Sequence, residues 1–296
     1  MSLGVLWRDR RGRFSALKAG VLLGTLLPAA TLAVQWQADA LGGRPVHALL
    51  LGAGLWTVRF LMITLAVRPA RILLDQPRLA LVSRMLGVTT AAYALAHLSL
   101  YAVDQNLMLL HVAAEIIHRF YLAIGFGTLT GLLVLAATST DRWAMRLGRG
   151  WKRLHRLIYL LGATALFHFF LQSKSDVGQA VLMAGFFSWL VLWRALPARL
   201  ATNLFVLAAL APLAALATAG IEALWYAAAT HLNWHRVLAA NLVFDLGFGL
   251  RPSAWVGLAG LGVALLTALR MGIDRLRPGK RRRRPTLRPA GSSQAA

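Results

Sequence analysis

Three histidines lie inside long apolar stretches of this 296-residue chain: His97, His155 and His168. Ionisable side chains are costly inside a lipid bilayer, so each of them needs a partner there. A single such histidine is best explained by a hydrogen bond to a carbonyl of a neighbouring helix. Three histidines on two such stretches favour haem, because neutral imidazole is a common axial ligand of haem iron.

His97 and His168 are predicted to lie at the same depth in the membrane. His97 follows Arg84 by 13 residues, which is roughly 20 Å at about 1.5 Å per helical residue. His168 lies at a matching height above Leu154 on another helix. Two imidazoles at one depth can hold an iron from both faces. The sequence therefore predicts a bis-histidine site in the outer half of the membrane.

His155 indicates a second haem near the cytoplasmic face, with its geometry left open. It lies 13 residues before His168, or about 3.6 turns, which points the two side chains to different sides of a straight helix. Gly162 between them would permit a distortion. At the matching depth the stretch that holds His97 offers residues 83–85, which include a methionine but no histidine.

Two further residues are candidates of a different kind. Arg59 lies in the middle of an apolar stretch and must have an anion or a carbonyl beside it. A haem propionate or a quinone oxygen would suit its fixed charge, and a structural ion pair with another helix is an equally good interpretation.

His111 follows His97 by 14 residues, but the polar residues 104–106 end the stretch first. It is therefore expected on the surface.

The composition is that of a membrane protein. Hydrophobic residues make up 58% of the chain and charged residues 14%, against about 45–50% and about 25% in soluble domains. A transmembrane helix needs about 20 mostly apolar residues. Eight such stretches are present: 19–36, 47–67, 85–103, 120–138, 155–172, 178–195, 201–225 and 253–272. The expected fold is an all-α, polytopic membrane bundle of about eight transmembrane helices.

The net charge of +22 gives this bundle an orientation. Of the 32 lysines and arginines, 25 fall on one side of the predicted spans, which the positive-inside rule makes the cytoplasmic side. Both termini are then cytoplasmic. The basic tails 1–18 and 275–296 are expected to contact lipid headgroups, and no nucleic-acid partner is expected. The chain has no cysteine, which excludes iron–sulfur ligation and covalently attached haem.

Several motifs resemble, in order and spacing, those of the MsrQ (YedZ) family. They occupy residues 59–61, 64–69, 84–87, 93–101, 136–140, 148–159, 168 and 174–176. This family is the haem-binding membrane subunit of the bacterial periplasmic methionine-sulfoxide reductase system, within the ferric-reductase-like transmembrane superfamily. The resemblance spans about residues 19–197, where it implies a six-helix haem core.

The resemblance also implies cofactors and partners. His97, His155 and His168 match the family's ligand histidines for one or two b-type haems, and FMN association is implied as well. Electrons would come from the quinone pool or from a cytosolic flavin reductase. The acceptor would be a periplasmic molybdopterin enzyme, MsrP, so that the terminal reaction takes place on a partner protein.

Residues 198–296 depart from the family pattern. They add two predicted spans within 198–274, joined by an outer loop at 226–252, and the basic tail. Because of this addition the acceptor need not be a methionine-sulfoxide reductase. One alternative is direct reduction of a metal ion or oxygen at the outer face, although the fused flavin–nicotinamide domain that would support it is not expected. A haem-free membrane anchor or transporter is the alternative from another class.

Overall fold

The computed structural model describes residues 7–8, 12–174, 176–230, 232–243 and 249–276. In these residues the secondary structure is helical, apart from one β-bridge between Arg8 and Phe14. The α-helices are α1 (Ala16–Gln37), α2 (Pro45–Leu73), α3 (Ser83–Asp104), α4 (Leu109–His118), α5 (Phe120–Ala137), α6 (Asp141–Leu147), α7 (Arg149–Leu154), α8 (Ile158–Ser173), α9 (Gly178–Ala195), α10 (Leu204–Thr230), α11 (Trp234–Leu242) and α12 (Pro252–Leu276). Short 3₁₀ turns occur at Pro77–Leu81 and His155–Leu157.

Seven segments among the described residues are long and apolar enough to cross a membrane. They are α1, α2, α3, α5, α10, α12 and the segment Arg149–Ser173, which contains α7 and α8. The remaining predicted span corresponds to α9. Eight of its 18 residues are buried, a share close to the 50% of the α2 span. The prediction of an all-α membrane bundle is confirmed.

Four helices surround the region that holds two of the histidines. α2 packs along α3, α3 contacts α5, and α5 contacts α8. α9 packs against both α2 and α8 and closes the group on one side. The shared core contains Leu61 of α2, Leu129 of α5 and Val181 of α9, none of them more than 6% exposed. This packing fixes the relative heights of α3 and α8, on which His97 and His168 lie.

The C-terminal helices α10 and α12 form a pair that packs on α9. They approach closely where Gly260 faces Ala211, since a Cβ on Gly260 would lie 2.8 Å from the Ala211 side chain. α10 also contacts the histidine-bearing helix α8, because Trp225 packs on Phe170 with ring centroids 4.9 Å apart. The segment expected as an outer loop at 226–252 is partly helical, since α10 continues to Thr230 and α11 follows.

A buried polar cluster joins the C-terminal parts of α10 and α11 to the start of α12. The Glu222 carboxylate, 5% exposed, accepts hydrogen bonds from Arg251 Nη2 at 2.7 Å and from Asn241 Nδ2 at 2.8 Å. Ser253 Oγ donates to Asn241 Oδ1 at 2.6 Å. A buried carboxylate is stable only when charged and polar partners satisfy it. This cluster therefore explains how α11 is held against the bundle.

Candidate functional site

A cavity of about 720 Å³ lies between α2, α3, α5 and α8, at the end of the bundle where α3 is followed by α4. Its volume falls within the range of about 300–1,000 Å³ that is usual for cofactor pockets. The inner walls are apolar and include Val58, Leu129 and Ala165. His97 and His168 both line it. The structure therefore brings together the two histidines that were predicted to lie at one depth.

Each of these histidines is held by a backbone carbonyl of the neighbouring helix. His97 Nδ1 lies 2.9 Å from the carbonyl oxygen of Leu50 on α2, and His168 Nδ1 lies 2.7 Å from that of Tyr121 on α5. A carbonyl only accepts hydrogen bonds, so Nδ1 donates and carries the proton in both rings. Nε2 is then the unprotonated nitrogen, which is the form that binds a metal.

The two rings lie at a distance that suits one iron ion between them. Their centroids are 6.5 Å apart and their planes make an angle of 81°. Two metal–nitrogen bonds of about 2 Å each, plus about 1 Å from each nitrogen to its ring centre, add up to about 6 Å. The chemistry of the donor set agrees, because two neutral imidazoles are an ordinary axial pair for haem.

Two glycines make room for the imidazole rings. A Cβ on Gly54 would lie 2.9 Å from His97 Nδ1, and a Cβ on Gly125 would lie 2.6 Å from His168 Cε1. Both distances are shorter than real Cβ contacts. Each ring thus lies directly against the backbone of the helix that supplies its carbonyl partner. With the cavity and the carbonyls, these contacts show that the residues present fit a bis-histidine haem.

The mouth of the cavity carries charges of both signs. Asp104, with 12% of its side chain exposed, lies 3.6 Å from Arg44 Nη2 and 3.3 Å from His47 Nδ1. A hydrogen bond to the Tyr121 hydroxyl and the nearby Glu115 carboxylate raise the pKa of Arg119, so this guanidinium stays charged. His111 is exposed, as expected, and it also lines this mouth.

His155 lies apart from this cavity, in the 3₁₀ turn that precedes α8. Its Nδ1 is 3.1 Å from the Trp151 carbonyl oxygen, and its Nε2 is 3.3 Å from Ser139 Oγ. The Trp151 ring stacks on it at 4.0 Å between centroids. The helix is distorted at the 3₁₀ turn His155–Leu157. The distortion that would reorient His155 relative to His168 thus occurs at His155 itself, not at Gly162.

Arg59 also lies outside the cavity lining. Its Nη2 donates to Gln179 Oε1 at 3.4 Å, and its guanidinium lies 4.8 Å from the Trp56 ring centre. Gln179 does line the cavity. In the described part of the chain no acidic side chain pairs with Arg59, so the expected ion pair with another helix is absent there.

Sequence reasoning did not identify Leu50, Tyr121, Gly54 or Gly125 as parts of the site. Leu50 and Tyr121 act through backbone carbonyls, which leave no residue-type signal. Gly125 lies three residues before Thr128 in an apolar helix, where glycine is ordinarily explained by close helix packing. Glycines in the neighbouring apolar stretches, such as Gly54 and Gly125, are the sequence feature that could have indicated room for the imidazole rings.

Comparisons with known proteins give the family. Residues 51–167 match the family model described as the ferric reductase like transmembrane component. The haem-binding subunit MsrQ of protein-methionine-sulfoxide reductase from Xanthomonas oryzae pv. oryzae is 41% identical over 185 residues, covering 60% of this chain and 85% of that protein. The chain belongs to the MsrQ family.

A more distant member supports the same assignment. The haem-binding subunit MsrQ from Caulobacter vibrioides is 35% identical over 176 residues, covering 59% of this chain and 84% of that protein. These alignments span most of each relative but leave about two fifths of this chain unmatched. No solved structure matches the chain. The ferric-reductase-like match begins within α2 and ends within α8, so it includes both His97 and His155 and stops one residue before His168.

Proposed function

We propose that this chain binds b-type haem between His97 and His168 and transfers electrons across a bacterial inner membrane to a periplasmic oxidoreductase. The observation that carries the proposal is the pair of neighbouring imidazoles, 6.5 Å apart between ring centroids, that line a cavity of about 720 Å³. When bound there, haem supplies one-electron redox chemistry. Family membership supports the role, since the relatives are named as haem-binding subunits.

The residues around the cavity orient the ligands and tune their environment. The Leu50 and Tyr121 carbonyls fix the tautomer of each imidazole and raise its basicity. Apolar side chains such as Val58 and Leu129 line the inner walls; they exclude water and lower the local dielectric, which influences the reduction potential. The charged residues at the mouth lie on the side where an electron acceptor would approach.

The donor and acceptor are proposed from the family. Electrons would enter from quinol or from a cytosolic flavin reductase, with FMN as an associated cofactor. The acceptor would be an MsrP-like molybdopterin reductase, which agrees with the methionine-sulfoxide reductase named for the relatives. The positive-inside rule, applied to the basic residues, supports a cytoplasmic orientation for both termini. That orientation puts His97 and His168 on the periplasmic side, next to the acceptor.

His155 is proposed as a ligand of a second haem near the cytoplasmic face. For this role Nε2 would have to exchange its contact with Ser139, 3.3 Å away, for iron. Arg59 remains a candidate for a quinone oxygen or a propionate, acting beside Gln179 at the cavity wall. The core would comprise residues 19–197, with the helices in 198–274 as an addition.

The test uses purified full-length protein in nanodiscs under anaerobic conditions. A ubiquinol analogue, or a flavin reductase with NADH and FMN, should reduce the haem within seconds to minutes, as seen in the visible α-band. Adding an oxidised MsrP-like enzyme from the same genome should then reoxidise it. The proposal would be contradicted if the protein binds haem but neither donor reduces it. Failure of the acceptor alone would refute only the partner assignment.

A further inference from the structure

We propose that the exposed apolar stripe of α4 is embedded in the surface of the lipid bilayer and anchors this helix beside the mouth of the cavity. The stripe consists of Leu110, Ala113, Ala114 and Ile117, all of them exposed. Its partner is the lipid surface itself. The inference does not require haem to be bound, so it stands or falls separately from the electron-transfer proposal.

The residues of α4 are separated by type around the helix. The four apolar residues occupy positions i, i+3, i+4 and i+7, which places them on one stripe about 100° wide. Leu110 is 90% exposed and Ile117 is 76% exposed. Val112, on another side, is buried, and α4 contacts α5. The polar side of α4 contributes Glu115 to the mouth of the cavity. The polar side and the buried side thus have partners within the protein, whereas no other described residue covers the stripe.

The neighbouring helices place α4 at the membrane boundary. α3 ends at Asp104 and α5 begins at Phe120, and both helices are long and apolar enough to cross a membrane. Consecutive spans meet the same membrane surface where one ends and the next begins. α4 has ten residues, which extend about 15 Å and are too few to cross the hydrocarbon core. A short amphipathic helix in this place is expected to lie at the interface.

The exposed apolar surface continues along the chain from α4 to both neighbouring spans. Val103 in the last turn of α3 and Phe120 at the start of α5 are exposed, and so are Leu107 and Met108 between α3 and α4. Exposed apolar residues of a membrane span contact lipid, so the stripe extends a surface that lipid covers. Protein interfaces are enriched in aromatic residues and arginine, whereas the stripe holds only leucine, alanine and isoleucine. Its composition therefore favours lipid over a protein partner.

Anchoring in lipid gives α4 a role at the cavity. Arg119, directly after α4, pairs with Glu115 at 2.5 Å and donates from Nη1 to the Tyr121 hydroxyl at 3.0 Å. All three residues line the mouth. Because Glu115 lies on α4 and Arg119 follows it, the position of α4 on the bilayer sets where this ion pair lies.

The test uses single cysteines in the full-length protein, whose sequence has no other cysteine to label. Leu110→Cys and Ile117→Cys place a bimane fluorophore on the stripe. The matched control is His111→Cys, on the next residue and about 100° around the same helix. Ala40→Cys, exposed between α1 and α2, is the aqueous reference, and Leu27→Cys, exposed within α1, is the lipid reference.

Each labelled protein is reconstituted in nanodiscs of phosphatidylethanolamine and phosphatidylglycerol. Fluorescence quenching is measured with nitroxide-labelled phospholipid and, separately, with aqueous iodide. Circular dichroism and gel filtration show that each variant is folded, without reference to haem. The two positions on the stripe are independent, so either one carries the test if the other variant does not fold.

We expect the lipid-attached nitroxide to quench labels at positions 110 and 117 about threefold more strongly than the label at position 111, and iodide to show the reverse order. Quenching by iodide at positions 110 and 117 to the extent seen at position 40 would overturn the proposal. Protection from both quenchers would overturn it as well, because a protein surface, either a second copy or another chain, would then cover the stripe.

Discussion

Replacing Gly125 with alanine should displace one haem ligand without touching the histidine itself. The added Cβ would lie 2.6 Å from His168 Cε1, 2.8 Å from Nδ1 and 3.1 Å from Nε2. Carbon–carbon contacts are comfortable at about 3.5–4.0 Å, so the ring must move by roughly 1 Å or more. This movement would also stretch the 2.7 Å hydrogen bond between His168 and the Tyr121 carbonyl.

A shift of that size is large for a metal ligand. Metal–ligand distances tolerate deviations of about 0.2 Å, and the separation of the two rings already matches two iron–nitrogen bonds. We therefore expect Gly125→Ala to convert six-coordinate haem to five-coordinate haem in a large fraction of the protein. The ferrous form would then bind carbon monoxide, which a bis-histidine haem resists.

The same helix supplies a matched control. A Cβ on Gly127 meets nothing within 4 Å, so Gly127→Ala makes the same chemical change two residues away without a clash. The assay is the carbon monoxide difference spectrum of each purified variant, scaled to its haem content. If Gly125→Ala and Gly127→Ala bind carbon monoxide equally weakly and keep full haem, His168 does not lie against Gly125 as described.

Three other predictions test separate features. The angle of 81° between the imidazole planes should give the ferric protein the strongly anisotropic low-spin EPR signal of perpendicular axial ligands, and a signal typical of parallel planes would contradict this geometry. Glu222→Gln weakens the charged hydrogen bond from Arg251 and should lower the unfolding free energy by about 1–3 kcal/mol, seen as a lower melting temperature with the haem spectrum unchanged. The control variant Asp39→Asn, at an exposed position, should leave the melting temperature unchanged. Because the chain has no cysteine, Ala40→Cys should react with a membrane-impermeant maleimide in spheroplasts and Arg142→Cys only after lysis; the reverse pattern would invert the proposed topology.

The depth of His97 and His168 could be predicted from sequence because it depends on two robust quantities. Hydropathy defines where each span begins, and the helical rise converts residue number into height. The partners of these histidines were less accessible. Leu50 and Tyr121 contribute carbonyl groups, whose positions depend on how α2 packs on α3 and how α5 packs on α8.

The surroundings of His155 and Arg59 could not be predicted from the sequence. The change of direction at His155 arises in the backbone as a 3₁₀ turn, whereas the sequence offered only Gly162 as a flexible point. Gly162 is instead packed closely on Phe187, since a Cβ there would lie 2.8 Å from Phe187 Cε2. The direction of Arg59 depends on Gln179, which is 120 residues away.

The C-terminal helices extend the family's core in a specific direction. They cover α9, and Trp225 reaches Phe170 on α8, two residues from His168. The Glu222 cluster joins the C-terminal part of α10 to the start of α12. A displacement of α10 and α12 is therefore expected to shift α8 more than α3.

The most direct test of the central claim is the reduced-minus-oxidised visible spectrum of the purified protein, recorded with a haem assay for the unmodified chain and for three variants. A b-type signal should be present, and His97→Ala and His168→Ala should each remove the same spectral component. His155→Ala should leave that component intact. A protein without a b-type signal, or one in which His97→Ala and His168→Ala both keep full bis-histidine haem, would contradict the proposed site.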